Sequence, residues 1–433
     1  ADVVEHHSEK NYLIEHSAGS GKTNTIAWLA HRLASLHDRE NKVIFDTVCI
    51  ITDRIVVDRQ LQNAVLSLEH KAGLIKVMDE KCTSKDLADA LNGNTKIIVT
   101  TIHKFMYIQE LVQELKSKTF AVIIDEAHSS TAGTAMEAVT YALSESRKLS
   151  EATPVDVSEE EKSMGDIIED EIARSGKQPN VSMIAFTATP KPTTLQLFGC
   201  LNEEGKKVAF DLYSMKQAID EHFILDVLEN YTCFETYFKL VKTITDDPQF
   251  KEAKANRALK GIVSWNARTI ENKANIIVEH FMDDVEGLLG HRAKAMVVTS
   301  SRPMACRLYK AIQAVIEEHR YNIRVMIAFS GKLEVDGKEV TESSLNGIPE
   351  TQTAETFDTD EQRIIVCANK FQTGFDQPKL CAMYVDKMLT GVAAVQTLSR
   401  LNRTCSIPGK RTFVLDFEND WETIRASFAS YYV

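Results

Sequence analysis

Two short stretches of the chain carry side chains suited to one chemistry. The first is His16-Ser17-Ala18-Gly19-Ser20-Gly21-Lys22-Thr23. Its two glycines let the backbone wind so that successive N–H groups converge on phosphate oxygens, with the positive end of a following helix behind them. Lys22 would reach the β and γ phosphates, and the Thr23 hydroxyl would ligate Mg²⁺. The second stretch is Asp125-Glu126-Ala127-His128, which follows the apolar run Phe120-Ala121-Val122-Ile123-Ile124. Such a run fills a buried parallel strand, and ligands of open α/β sheets bind just outside the carboxyl ends of those strands. Gly-Lys-Thr alone recurs by chance, and a lone Asp-Glu pair is commonly a solvated loop. Correctly placed together, they imply nucleoside triphosphate hydrolysis. One departure stands out: His16 occupies the first glycine position of the G-x-x-x-x-G-K-[ST] form.

The elements needed to position these groups are legible as apolar runs. Tyr12-Leu13-Ile14 reads as the strand ahead of the phosphate loop, and Lys22 onward as a helix with Ile26, Leu29, Ala30 and Leu33 on one face. Val48 to Thr52, Ile97 to Thr101, Phe120 to Ile124 and Met183 to Phe186 read as further strands, with spacers long enough for crossovers. Residues 220–290 look mainly helical. A second strand and helix series follows: Ala295 to Thr299, Val325 to Phe329, Ile364 to Cys367, Met383 to Val385 and Phe413 to Leu415 as strands. Ser301 is placed to cap a helix with Pro303 in its first turn. The expected fold is α/β with two domains, 1–219 and 220–433, each a mainly parallel sheet flanked by helices, the second entered through a helical segment at 220–290.

Length agrees, since 433 residues exceed one ordinary domain. No apolar run reaches the 18 or more residues of a membrane span, and no signal pattern opens the chain, so no membrane partner is expected and a soluble, intracellular protein is the default. The eight cysteines are spread singly, which suits reduced core thiols better than a zinc site or disulfide framework. His6, His7, His31 and His37 read as surface residues. The net charge of −12 argues against a nucleic-acid partner only at first sight. Nine acids and one base between Glu151 and Glu171 supply −8 of it, so local basic patches elsewhere decide binding.

Taken in order, Gly19 to Thr23, Thr52-Asp53-Arg54, Thr101-Ile102-His103-Lys104-Phe105, Asp125 to His128, Thr187-Ala188-Thr189-Pro190, Gln372 to Pro378 and Gln396 to Arg403 resemble the motif set of superfamily 2 helicases and translocases. More narrowly, His-Ser-Ala-Gly-Ser-Gly-Lys-Thr, Lys-Phe-Gln-Thr-Gly-Phe-Asp-Gln-Pro and Val-Gln-Thr-Leu-Ser-Arg-Leu-Asn-Arg-Thr are similar to the motor region of the R subunit of type I restriction-modification enzymes. His16, and Ser399 where other helicases usually have Gly, look like habits of that family. The resemblance implies two RecA-like domains with ATP and Mg²⁺ between them. It assigns Gly19, Ser20, Gly21 and Lys22 to the phosphates, Thr23 and Asp125 to Mg²⁺, and Glu126 to the attacking water. Arg400 and Arg403 would be arginine fingers, and Asp376 would contact the ribose or sense nucleotide. His128, Thr187, Thr189 and Gln396 would couple ATP to nucleic acid, and Arg54, Thr101 and Lys104 could touch DNA phosphates.

The function so implied is an ATP-dependent translocase on double-stranded DNA, serving restriction of foreign DNA in the bacterial cytoplasm with methyltransferase (M) and specificity (S) subunits as partners. Family R subunits carry a nuclease domain ahead of the motor and a helical docking region behind it. With only Ala1 to Lys10 ahead of the first strand, this chain alone is expected neither to cut DNA nor to translocate efficiently. The alternatives are another superfamily 2 DNA or RNA helicase or remodeller, and a nucleotide-gated interaction module. Thr187-Ala188-Thr189-Pro190 disfavours the RNA DEAD/DEAH-box families, which usually show Ser-Ala-Thr, and an inactive module has no need of Glu126, Arg400 and Arg403 together.

Overall fold

The computed structural model describes residues 2–8, 10–52, 59–68, 73–79, 81–101, 118–125, 180–190, 192–234, 270–335, 337–371 and 375–432. The chain divides into two compact units, Ala1–Ser214 and Met215–Val433. Among the described residues no helix is long and apolar enough to cross a membrane.

In the first unit, helix α1 (Asp2–His6) leads to β1 (Tyr12–His16), α2 (Lys22–Ala34), β2 (Thr47–Thr52), α3 (Arg59–Leu66), β3 (Ile75–Val77), α4 (Ser84–Asn92), β4 (Ile97–Thr101), β5 (Phe120–Ile124) and β6 (Val181–Thr187). Helix α5 (Pro192–Phe198), a small antiparallel pair β7 (Cys200–Leu201) and β8 (Lys207–Val208), and β9 (Asp211–Tyr213) complete it. The main sheet runs β3-β4-β2-β5-β6-β1-β9, every pairing parallel. β2, β4, β5 and β6 are buried throughout, as unbroken apolar runs require when both faces are covered. One face packs Leu13, Ile98, Val122 and Ala185 with Leu87, Leu91 and Phe198. The other packs Tyr12, Val48, Val99 and Ile123 with Ile26, Ala27, Ala30 and Leu33 of α2. Burying α2 here sets the Ser17–Gly21 turn at the carboxyl end of β1, with Lys22 beside the end of β5.

In the second unit, α6 (Met215–Asp220), β10 (Tyr231–Cys233), α7 (Ile270–His280) and a π-helical turn at Phe281–Val285 precede α8 (Leu288–His291) and β11 (Lys294–Thr299). Next come α9 (Arg302–His319), β12 (Arg324–Ala328), the antiparallel pair β13 (Lys332–Val335) and β14 (Lys338–Thr341), α10 (Glu342–Asn346) and α11 (Thr353–Phe357). β15 (Gln362–Ala368), β16 (Leu380–Asp386), α12 (Gly391–Leu398), β17 (Phe413–Asp416) and α13 (Trp421–Ala429) finish the chain. The sheet order is β10-β17-β16-β11-β15-β12, again all parallel. Ser301 caps α9, its side chain accepting from the Met304 N–H at 3.3 Å, with Pro303 in the first turn and Leu308, Ile312 and Val315 buried.

The expected helical character of 220–290 needs correction over 221–234, while residues 235–269 lie outside the described residues. Residues 221–230 form turns, and Tyr231–Cys233 is an edge strand beside β17; regular helix begins only at Ile270 among the described residues. Tyr231 is drawn into the sheet by its hydroxyl, which donates to Asp416 Oδ2 at 2.8 Å, a partner far away in sequence. The four fully or nearly fully buried thiols, Cys49, Cys306, Cys367 and Cys381, lie in the cores, and all eight cysteines are unbridged.

Candidate functional site

β1 ends at His16, and the chain turns through Ser17 to Gly21 into α2. Gly19 has φ 87° and Gly21 φ 96°, the left-handed region that L side chains rarely adopt, so these two positions need glycine. His16 lies in strand backbone and needs none. The same holds in the second unit for Ser399, with φ −63° and ψ −2°. Both departures from the usual motifs therefore fall where the backbone tolerates any residue.

The loop is closed by its own bonds. Ser17 N donates to Tyr213 O at 3.0 Å, Ser20 N to Ser17 O at 3.3 Å, and Ser20 Oγ to Ser17 O at 2.7 Å. Ser17 Oγ donates to Ser20 Oγ at 2.9 Å. From α2's first residue, Lys22 Nζ lies 3.0 Å from Asp125 Oδ1 at the carboxyl end of β5, with the side chains 12% and 18% exposed. Thr23 sits beside Lys22 in the first turn of α2. An ammonium and a carboxylate thus meet beside the Ser17–Gly21 turn, with Thr23 one residue further along α2. A hydroxyl and a carboxylate are hard oxygen donors of the kind Mg²⁺ takes alongside phosphate oxygens. Residues Thr23 and Asp125 would hold that ion, and bound there it would neutralise charge on the phosphates.

Thr187 ends β6 and Thr189 follows it, both fully buried, and Thr189 N donates to Thr187 Oγ1 at 3.1 Å. Thr101, at the end of β4, is 2% exposed, which leaves little of its side chain for a DNA phosphate. Arg54, Lys104, Glu126 and His128 lie outside the described residues. Glu15 is a carboxylate that motif reading passed over. It pairs in register with Thr187 and Leu212, and burial pushes its carboxyl up to about 7.

In the second unit the segment from Phe375 to Pro378 and the segment after α12 lock together. Arg400 Nη1 donates to Phe375 O at 3.2 Å, and Arg403 Nε lies 3.2 Å from Asp376 Oδ1, the pair 30% and 25% exposed. Gln396 is on α12, part-exposed, a turn before Arg400. Arg403's backbone bridges Ile224, and Asn402 O accepts from Leu225 N at 2.7 Å. A further residue, Lys410, sits between the two segments, its Nζ donating to Pro378 O at 2.8 Å and Arg403 O at 2.5 Å. Burial lowers its ammonium to about 8, against the pull of nearby Cys381, Cys405 and Asp376. No pattern in Ile407-Pro408-Gly409-Lys410 marks this role beforehand, because both partners are backbone carbonyls. The structure thus brings together Gly19, Ser20, Gly21, Lys22, Thr23 and Asp125 in one unit, and Asp376, Arg400 and Arg403 in the other.

Comparison with known proteins identifies the family. The SWI2/SNF2 ATPase family matches residues 1–258, and type I restriction enzyme subunit R domain 3 matches residues 350–419. The chain is 24% identical over 443 residues to the type I restriction enzyme HindI endonuclease subunit of Haemophilus influenzae, covering 96% of this chain and 38% of the relative. It is 24% identical over 413 residues to the type I restriction enzyme MjaIXP endonuclease subunit of Methanocaldococcus jannaschii, covering 34% of that protein. The chain therefore spans between a third and two fifths of the length of these relatives. Among solved structures, a fragment of a type I restriction enzyme HsdR subunit from Vibrio vulnificus superposes with a TM-score of 0.56 at 13% identity, covering 99% of this chain and 62% of the other. At this identity the likeness establishes the fold, two RecA-like α/β units, and with a family match over more than half its length the chain belongs to the SWI2/SNF2 ATPases and carries the motor-region domains of type I restriction enzyme R subunits.

Proposed function

We propose that this chain is an ATP-driven motor that tracks double-stranded DNA as part of a type I restriction enzyme, working with M and S subunits. The observation that carries this reading is the meeting of Lys22 and Asp125 at 3.0 Å beside two left-handed glycines. Phosphoryl transfer asks for charge stabilisation and positioning more than for covalent chemistry, and these groups supply both. In this reading Gly19, Ser20, Gly21 and Lys22 grip the phosphates, and Glu126 orients the attacking water. Arg400 and Arg403 place positive charge on the transferred phosphoryl group, and Asp376 holds Arg403 in its orientation as well as sensing nucleotide. His128, Thr187, Thr189 and Gln396 pass the state of the nucleotide to the DNA-contacting segments, where Arg54 and Lys104 meet phosphates. Turnover then drives a conformational cycle that advances the DNA.

ATPase activity of the full-length R subunit in its complex, measured with and without duplex DNA, tests this. Activity should require DNA and collapse in Lys22→Ala and in Glu126→Gln. Normal turnover in either variant would overturn the site assignment.

A further inference from the structure

We propose that His16 is a positioning residue that holds the phosphate loop in its nucleotide-accepting shape before nucleotide arrives. This rests on the reading of that loop as the nucleotide site.

The ring is 6% exposed and both of its nitrogens are engaged. Nδ1 lies 2.8 Å from Ser20 Oγ, inside the loop, and Nε2 lies 3.1 Å from Thr25 Oγ1, in the first turn of α2. One side chain therefore ties the end of β1 to the crown of the loop and to the helix that follows. A glycine at this position could make neither bond. The ring also rests against Tyr213, with centroids 5.1 Å apart at 54°, and the Tyr213 carbonyl in turn accepts from Ser17 N at 3.0 Å.

Proton counting assigns the form of the imidazole. Ser20 Oγ donates its one proton to Ser17 O at 2.7 Å and accepts from Ser17 Oγ at 2.9 Å. Its remaining contact with His16 must then be as acceptor, so Nδ1 carries the hydrogen and Nε2 accepts from the Thr25 hydroxyl. This is a neutral ring with every polar atom used. Burial holds the imidazole below its ordinary range, and the Lys22 ammonium adds to the effect, against the Ser17 backbone and Asp211, which favour the cation.

The consequence is energetic. A loop that must be ordered on binding charges that entropy against affinity, whereas a loop already ordered does not. A neutral hydrogen bond contributes about 0.7 kcal/mol net, in the lower part of the usual range, so loss of both bonds corresponds to about a tenfold weakening of nucleotide binding. The chemical step uses other residues, so the effect should fall on affinity and KM rather than on kcat.

Equilibrium titration of the full-length protein with a fluorescent ATP analogue and Mg²⁺ tests this, alongside steady-state ATPase. His16→Phe keeps a ring in the space and removes both bonds; the dissociation constant and KM should rise about tenfold, with kcat within about twofold. His16→Asn restores a donor toward Ser20 and should recover part of the loss. Thr25→Val removes the Nε2 partner while leaving the ring, and should weaken binding about threefold even if changes at His16 impair folding. Wild-type affinity in His16→Phe, or Asn and Phe behaving alike, would overturn the proposal. Lys22→Ala serves as the control, because undiminished nucleotide binding in that variant would instead defeat the assignment of the loop.

Discussion

Replacing Lys22 by Met and Asp125 by Asn, singly and together, separates what their contact does for the fold from what the two groups do for the reaction. They lie 3.0 Å apart with side chains 12% and 18% exposed. Removing one member of a fully buried ion pair costs about 3–5 kcal/mol, because a charge is left without its counter-charge. A solvent-exposed pair contributes about 0–1 kcal/mol. These exposures place the pair between the limits, so Lys22→Met should lower stability by about 2 kcal/mol. Asp125→Asn should cost a similar amount. The double variant leaves no orphaned charge, so its loss should fall short of the sum by about 1–2 kcal/mol, the coupling expected for groups in contact. Urea unfolding read by circular dichroism gives these values, and ATPase is measured on the same samples. Turnover should be absent from all three variants, since stability returns in the double variant but the phosphate and metal contacts do not. Strictly additive stability losses would refute the ion pair. ATPase recovered in the double variant would refute the chemical roles.

Arg403→Ala removes an ion pair that is 30% and 25% exposed, so stability should fall by no more than about 1 kcal/mol and nucleotide affinity should hold. Turnover should drop about 10³-fold, the scale of an arginine finger; a large stability loss with normal specific activity would make the residue structural. Glu15 provides a pH test. Its carboxyl, raised by burial to about 7, keeps a proton that the unfolded chain releases near the ordinary 4.5. The stability it contributes is fully present below 4.5 and is lost as pH rises through 7. Glu15→Gln stays neutral, so its stability advantage over the wild type should widen between pH 5 and pH 8. Parallel curves from urea unfolding across that range would contradict the buried position.

The strands that carry the site were readable because they are buried on both faces. Ile97–Thr101 and Phe120–Ile124 show as unbroken apolar or β-branched runs, and their bounds coincide with the observed strands. Ser301 and Pro303 likewise announced the start of α9 by local chemistry alone. The missed strands owe their state to partners elsewhere. Asp211–Tyr213 is an edge strand with two exposed residues, defined by pairing with β1, and Tyr231–Cys233 by pairing with β17. The hairpin of β13 and β14 did leave a signal, Asp336-Gly337 between alternating residues, which is the strongest short-range hairpin mark. Lys22, Thr23 and Asp125 stood out because phosphate and Mg²⁺ chemistry would prescribe their residue types, and Lys22 and Asp125 do lie 3.0 Å apart. His16 was visible only as a departure from the motif. Its bonds run to Ser20 and Thr25, hydroxyls whose identity no motif prescribes. Lys410 gave no sign at all, since main-chain carbonyls are present at every residue.

The most direct test of a DNA-tracking motor is displacement of a triplex-forming oligonucleotide placed at increasing distances from the loading site on duplex DNA, using the assembled enzyme. Displacement should require ATP, show a lag that grows linearly with distance, and vanish with Lys22→Ala. Displacement without ATP, a lag independent of distance, or activity undiminished in Lys22→Ala would contradict translocation by this site.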